Sequence, residues 1–179
     1  KVVAGFLKDA DGISQDLLET RCQQGYDIAL EMGFSEDVAL GIAGLDEHWD
    51  GGGNPLKAAG DDIPLYAQIA LISQVIAVFN TSSGRDAALA EVQARSGKWF
   101  NPDLVKAAQS VGARPSFWEE LAQPDMGTRL LSSRHSQSKW QLTDETLDKI
   151  VGGFAKVIDA KSPFTHGHST RVALYSDLL

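Results

Sequence analysis

Apolar residues in this chain recur at intervals of three and four. No stretch shows sustained alternation at intervals of two, so the pattern predicts helices joined by polar turns. Leu18, Cys22, Ala29 and Leu30 mark one stripe over Asp16 to Met32, with Ser14 as a helix cap and Gly33 as a stop. A shorter helix follows from Ser35 to Gly44, with Glu36 and Asp37 in the first turn, where the helix dipole favours acid. The clearest periodicity is Leu65, Ile69, Ile72, Ile76 and Phe79, which predicts a helix from Pro64 to about Asn80. That stripe is expected to face the core, with Ala67, Ala70 and Ala77 permitting close neighbours.

A turn at Thr81–Gly84 leads into a helix over Arg85–Ser96 with Ala88, Leu89 and Val92 inward, stopped by Gly97. Asn101 followed by Pro102 is a cap and first-turn pair, and predicts a helix to Val111. From Gly112 to Gln141 the pattern is mixed. Phe117 and Trp118 suggest a short packed helix. Pro124, Gly127 and the polar run Ser132–Ser138, which holds His135, suggest a connector. Thr143 caps a last clear stripe formed by Leu147, Ile150, Val151, Phe154 and Ile158.

One stretch breaks the helical pattern. Glu47-His48-Trp49-Asp50-Gly51-Gly52-Gly53-Asn54-Pro55 continues to Gly60-Asp61-Asp62-Ile63-Pro64. Three glycines and a proline cannot continue a helix. The tryptophan and the charged residues among them predict a structured loop rather than a solvated linker.

The chain has 179 residues and a formal charge of −8, which argues against a nucleic-acid-binding surface, since phosphate contacts need clustered Lys and Arg. Its one cysteine, Cys22, excludes an internal disulfide and suits a reducing, cytoplasmic setting. No signal peptide is visible, and no apolar run is expected to approach the length of a membrane span. The chain opens on Lys1 and stops at Leu179 inside an amphipathic stretch, so a segment of a longer protein is expected.

The loop resembles the signature of HD-GYP domains, a subclass of the HD phosphohydrolase superfamily. That signature reads His-His-Glu-x-Trp-Asp-Gly-x-Gly-Tyr-Pro and then Gly-x-x-Ile-Pro. Glu47, Trp49, Asp50, Gly51, Gly53, Pro55, Gly60, Ile63 and Pro64 match it. Leu45 and Asp46 stand where the signature has paired histidines, and Asn54 where it has tyrosine. Gly97-Lys98-Trp99-Phe100-Asn101-Pro102-Asp103-Leu104-Val105 resembles a second family motif, Gly-x-x-Phe-Asp-Pro-x-Leu-Val, departing at Asn101. This resemblance covers Thr20 to Ala108.

Further on, Asp159-Ala160-Lys161-Ser162-Pro163-Phe164-Thr165-His166-Gly167-His168-Ser169-Thr170-Arg171-Val172 resembles the opening of the same kind of domain. The order implies a tandem arrangement, with a circular permutation as the alternative. Residues 1–112 would be the C-terminal part of a degenerate HD-GYP-like domain, 113–142 a connector, and 143–179 the first helices of a second. The implied fold is an all-α, HD-domain-like helical bundle.

The resemblance also implies chemistry. HD enzymes hold two or three metal ions, expected here as Mn, Fe or Zn, on His and Asp ligands, and use them to hydrolyse phosphoesters; HD-GYP members typically act on cyclic di-GMP. By alignment the ligand positions fall on Arg21, Leu45, Asp46 and Gln74. Leucine cannot ligate a metal, arginine is a poor candidate, and an amide is a weak substitute for a carboxylate. The first domain is therefore expected to be inactive and metal-free, with Asp46 and His48 as the weakest of candidate ligands. His168 matches a family ligand position in the second domain, and His166 is the motif's variable residue. The loop implies a protein partner or a homodimer, and a cyclic dinucleotide is the implied small ligand. A metal-dependent phosphodiesterase and a non-catalytic module of a signalling or transcriptional regulator are the two readings this leaves.

Overall fold

The computed structural model describes residues 19–133, 143–160 and 167–178. Among them there are helices and no strand, apart from one isolated bridge between Ser96 and Phe100. Helix α1 covers 19–31, and α2 is Glu36–Ala43. After the loop and a 3₁₀ turn at Gly60–Asp62 come α3 (Leu65–Ser83), α4 (Arg85–Ala94) and α5 (Pro102–Gly112). Then follow α6 (Pro115–Leu121), α7 (Met126–Ser133), α8 (Asp144–Ala160) and α9 (His168–Asp177). The all-α expectation holds.

The predicted stops and caps act through backbone geometry. Gly33 takes φ 84°, and Phe34 N–H reaches back to the Ala29 carbonyl at 2.9 Å, which closes α1. Asn101 Oδ1 accepts Asp103 N–H at 2.9 Å and starts α5. Thr143 Oγ1 accepts Thr146 N–H at 3.2 Å and starts α8. The predicted cap at Ser14 lies outside the described residues. Helices α6 and α7 occupy much of the stretch read as a connector; Ser138, His135 and their neighbours in 134–142 also lie outside the described residues.

The core is Leu71, Ile72, Val92, Phe100 and Val105, with Val75, Ile76, Leu104 and Ala108 packed against it. It is built where α3, α4 and α5 meet. The face of α3 differs from the predicted stripe. Ala67, Leu71 and Ile72 are buried, whereas Leu65 and Ile69 are exposed. The cause is the close crossing of α2. A Cβ on Gly41 would lie 2.9 Å from Tyr66 Cβ, and one on Gly44 would lie 3.3 Å from Ala67 Cβ. The smallest residues make the tightest contact, so α2 covers Ala67 and leaves Leu65 outside. Helix α3 also runs one turn beyond the expected end, to Ser83, and at 19 residues it is long and apolar enough to cross a membrane by length and composition. That corrects the expectation that no run reaches such a length. Here α3 packs along α2 and α4.

Farther along, Trp118 Nε1–H donates to the Gly112 carbonyl at 2.7 Å, and Phe117 packs edge-on to Trp118. Helix α8 docks on the end of α1. A Cβ on Gly153 would meet Met32 Cγ at 2.2 Å, and Lys156 pairs with Glu31.

Candidate functional site

Two features occupy one end of the α1–α5 unit: an open cleft, and the loop that borders it. The cleft, about 380 Å³, lies between α1, the end of α2 and α3. Its lining includes Arg21, Cys22, Ile42, Leu45, Asp46 and Gln74. All four positions that the resemblance aligns with family ligands are among these residues, so the fold brings them together.

Across the cleft the Arg21 guanidinium pairs with the Asp46 carboxylate. One ligand position thus carries a fixed cation and another its counter-charge. Leu45 adds an aliphatic wall and Gln74 a neutral amide. Cys22 is buried in α1, and burial, reinforced by the Asp46 charge, pushes its thiol above the usual range. The chemistry of these residues does not fit a site for two or three divalent metal ions. Among the described residues, no three His, Cys, Asp or Glu side chains converge to hold an ion.

The loop is held by its own backbone. Trp49 N–H donates to the Trp99 carbonyl at 3.1 Å and Asp50 N–H to the Lys98 carbonyl at 2.8 Å, which ties the loop to the turn before α5. Asn54 N–H reaches the Asp46 carbonyl at 3.1 Å, and Gly60 N–H reaches the Trp49 carbonyl at 2.9 Å. Gly51 sits at φ 79°, and the Asn54–Pro55 bond is cis. Gly53 is indispensable by space: an added Cβ would stand 2.2 Å from His48 N and 2.6 Å from the Asp46 carbonyl oxygen.

The acidic signature residues bind amides. Glu47, 2% exposed, accepts Leu56 N–H at 2.5 Å through Oε1, while its Oε2 is buried with no hydrogen-bond partner. Asp50 Oδ1 accepts Gly52 N–H at 2.9 Å, a local Asx turn. His48 stacks on Trp99 with ring centroids 4.3 Å apart, and the Arg95 guanidinium lies 3.7 Å from the centroid of the same indole. Burial holds His48 below its ordinary titration range, against the upward pull of Asp50 and Glu47. The stacking of Arg95 and His48 on the Trp99 ring is the part that sequence reasoning missed. The only signal for it was an aromatic pair, Trp99-Phe100, inside a matched motif.

His168 lies apart from this cleft in the chain, at the start of α9, and is exposed. Asp159, nearly buried at the end of α8, accepts the Ser169 hydroxyl at 2.8 Å and its backbone N–H at 3.3 Å. The first residue of that motif, at the end of α8, is therefore joined to the residue next to His168 at the start of α9. His166 lies outside the described residues.

The HD domain family matches residues 13–104, just over half of the chain. This chain is an HD-domain protein. It belongs to the superfamily of HD-domain metal-dependent phosphohydrolases. It is 44% identical over 174 residues to the 3′3′-cGAMP-specific phosphodiesterase 3 of Vibrio cholerae serotype O1, covering 97% of this chain and 38% of that protein. A crystal structure of cyclic GMP-AMP-specific phosphodiesterase from V. cholerae superposes with a TM-score of 0.82 at 45% identity, over 92% of this chain and 40% of that one. The chain thus spans about two-fifths of the length of the relatives it matches.

Proposed function

We propose that the α1–α5 unit is a non-catalytic HD-GYP-derived module of a bacterial, cytoplasmic cyclic-dinucleotide phosphodiesterase. Hydrolysis would belong to a second HD-like unit that opens at residues 143–179. The observation that carries this reading is the Arg21–Asp46 ion pair lying across the cleft where the family's ligands are expected. The likeness to a 3′3′-cGAMP-specific phosphodiesterase supports the substrate class. In the second unit, His168 would be one ligand of the divalent metal. The metal would supply hydroxide and clamp the phosphate. In the first unit the residues would hold the fold and serve regulation through a protein partner or homodimer.

A second reading, a regulatory or dimerisation module of a signalling or transcriptional regulator, is favoured by the apolar faces of α8 and α9. Val151, Phe154, Ile158 and Tyr175 are all more than half exposed. The acidic charge gives neither reading a nucleic-acid surface.

The test is metal content joined to activity. The 179-residue chain is incubated with Mn²⁺, Fe²⁺ or Zn²⁺, desalted, assayed by elemental analysis, and incubated with 3′3′-cGAMP. Near-zero metal and intact substrate are expected. A tightly held ion, lost on mutating Asp46 in the cleft or His48 in the loop beside it, would overturn the non-catalytic assignment.

A further inference from the structure

The face of α3 that α2 leaves uncovered carries a second pattern. Asp37 and Leu40 of α2 face Pro64, Leu65 and Tyr66 across a groove of about 200 Å³. Leu40 is 38% exposed, Leu65 58% and Tyr66 57%, and Ile69, one turn beyond Leu65, is 42% exposed. No charged residue occurs from Leu65 to Gly84, so no charge on α3 itself lies on this face. Such a patch marks a surface that gains by being covered.

The charge around it is one-sided. Residues 22–84 hold nine Asp and Glu and a single basic residue, Lys57, so this stretch carries the chain's whole formal charge of −8 and the rest balances. Asp37 lies in the groove, Glu36 is beside it, and Asp61 and Asp62 lead directly into Pro64. All four are exposed, and none makes an ion pair among the described residues.

We propose that the α2–α3 groove is a docking site for a cationic amphipathic helix of a partner protein. An apolar stripe at helical spacing would fill the groove over Leu40, Leu65, Tyr66 and Ile69, and flanking Lys or Arg would meet the carboxylates. A second copy would set the same carboxylates against themselves, and an anionic bilayer would be repelled for the same reason. The site is separate from the ligand cleft and does not depend on what that cleft binds.

The probe is a fluorescein-labelled 18-residue helix of Leu and Lys in amphipathic order, titrated with the full 179-residue chain by anisotropy. A Leu/Glu peptide of identical pattern is the control. The Lys peptide binds, its affinity falls with salt, and the Glu peptide does not bind. Leu65→Ser with Ile69→Ser, and separately Asp37→Lys with Asp62→Lys, each weaken binding by about tenfold or more. Glu119→Lys with Glu120→Lys, exposed acids on α6, leaves it within about twofold. All these positions are exposed, and circular dichroism checks that each variant keeps its helices. Failure of the Lys peptide to bind overturns the proposal, as does equal weakening by the α6 pair, which would mean diffuse charge attraction. Sedimentation showing a dimer that the Leu65/Ile69 variant dissolves would give the groove to a second copy instead.

Discussion

Arg21 and Asp46, 25 residues apart in the chain, meet as an ion pair across the cleft where HD enzymes are expected to hold metal. A cation and a carboxylate stand at two of the positions where the family resemblance places ligands, and the pair links α1 to the loop. Both side chains are well exposed, so the pair contributes little stability. Asp46→Ala should cost about 0.2–1 kcal/mol in urea denaturation. The chemical consequence is larger. Converting Arg21, Leu45 and Asp46 to His and Gln74 to Asp in one chain restores a His and carboxylate set in a cleft that already gathers those positions. Metal content should rise from near zero to about one ion per chain after Mn²⁺ loading. A folded quadruple variant that stays empty would show that the cleft geometry, not only its chemistry, has left the metal-binding state.

Glu47 is the buried polar anchor of the loop. Its Oε1 takes the Leu56 amide proton, and its Oε2 has no partner. Glu47→Ala leaves that amide unsatisfied and should cost about 1.5–3 kcal/mol. Glu47→Gln keeps the acceptor and removes a buried charge, so it should cost less than about 1 kcal/mol. Urea midpoints for the two variants decide the point: an equal loss would mean that the negative charge itself, not the acceptor, holds the loop.

Most helices were legible because their signals are local. Gly33, Asn101 and Thr143 each set a boundary through a bond to a residue within five positions. The buried face of α3 was not, because Gly41, Gly44 and Ala67 fix it, and small residues leave no mark in a hydrophobic stripe. The short helix that Phe117 and Trp118 suggest is α6, with Pro115 in its first turn, where it is tolerated, but the helical character of 126–133 is hidden by Pro124 and Gly127, which read as breakers. At the site, the motif residues could be read but their partners could not. Nothing local announces that Arg21 meets Asp46, or that Trp99 offers its ring to His48 and Arg95. Those contacts exist because the Trp49–Trp99 and Asp50–Lys98 backbone bonds bring two distant turns together.

Two glycines separate steric from conformational cost. A Cβ on Gly53 would overlap backbone atoms of Asp46, Glu47 and His48, which cannot move aside without opening the loop. Gly53→Ala should cost more than about 3 kcal/mol, or leave the loop unformed, with loss of the near-ultraviolet signal of Trp49 and Trp99. At Gly97 an added Cβ meets nothing within 4 Å, and only its φ of 73° opposes alanine. Gly97→Ala should therefore cost about 1–2 kcal/mol and leave that signal intact. Thermal melts followed by near-ultraviolet dichroism test both, and similar losses at the two sites would refute the steric account of Gly53.

His48 makes the loop sensitive to acid. Burial against Trp99 lowers its pKa below the ordinary 6.5, so the unfolded chain takes up the proton first as pH falls. The unfolded state then binds more protons than the folded one, and stability rises with pH in that window. The contribution of His48 is thus fully present above about pH 6.5, and is lost as pH falls from there through the folded-state pKa. His48→Gln keeps a planar group on Trp99 without the titration. The stability difference between wild type and this variant should be flat from pH 8 to about 7 and shift against the wild type below about 6.5. Urea denaturation of both proteins across that range, followed by tryptophan fluorescence, measures it. A difference independent of pH would mean that the imidazole is as well accommodated charged as neutral, with Asp50 and Glu47 offsetting its burial.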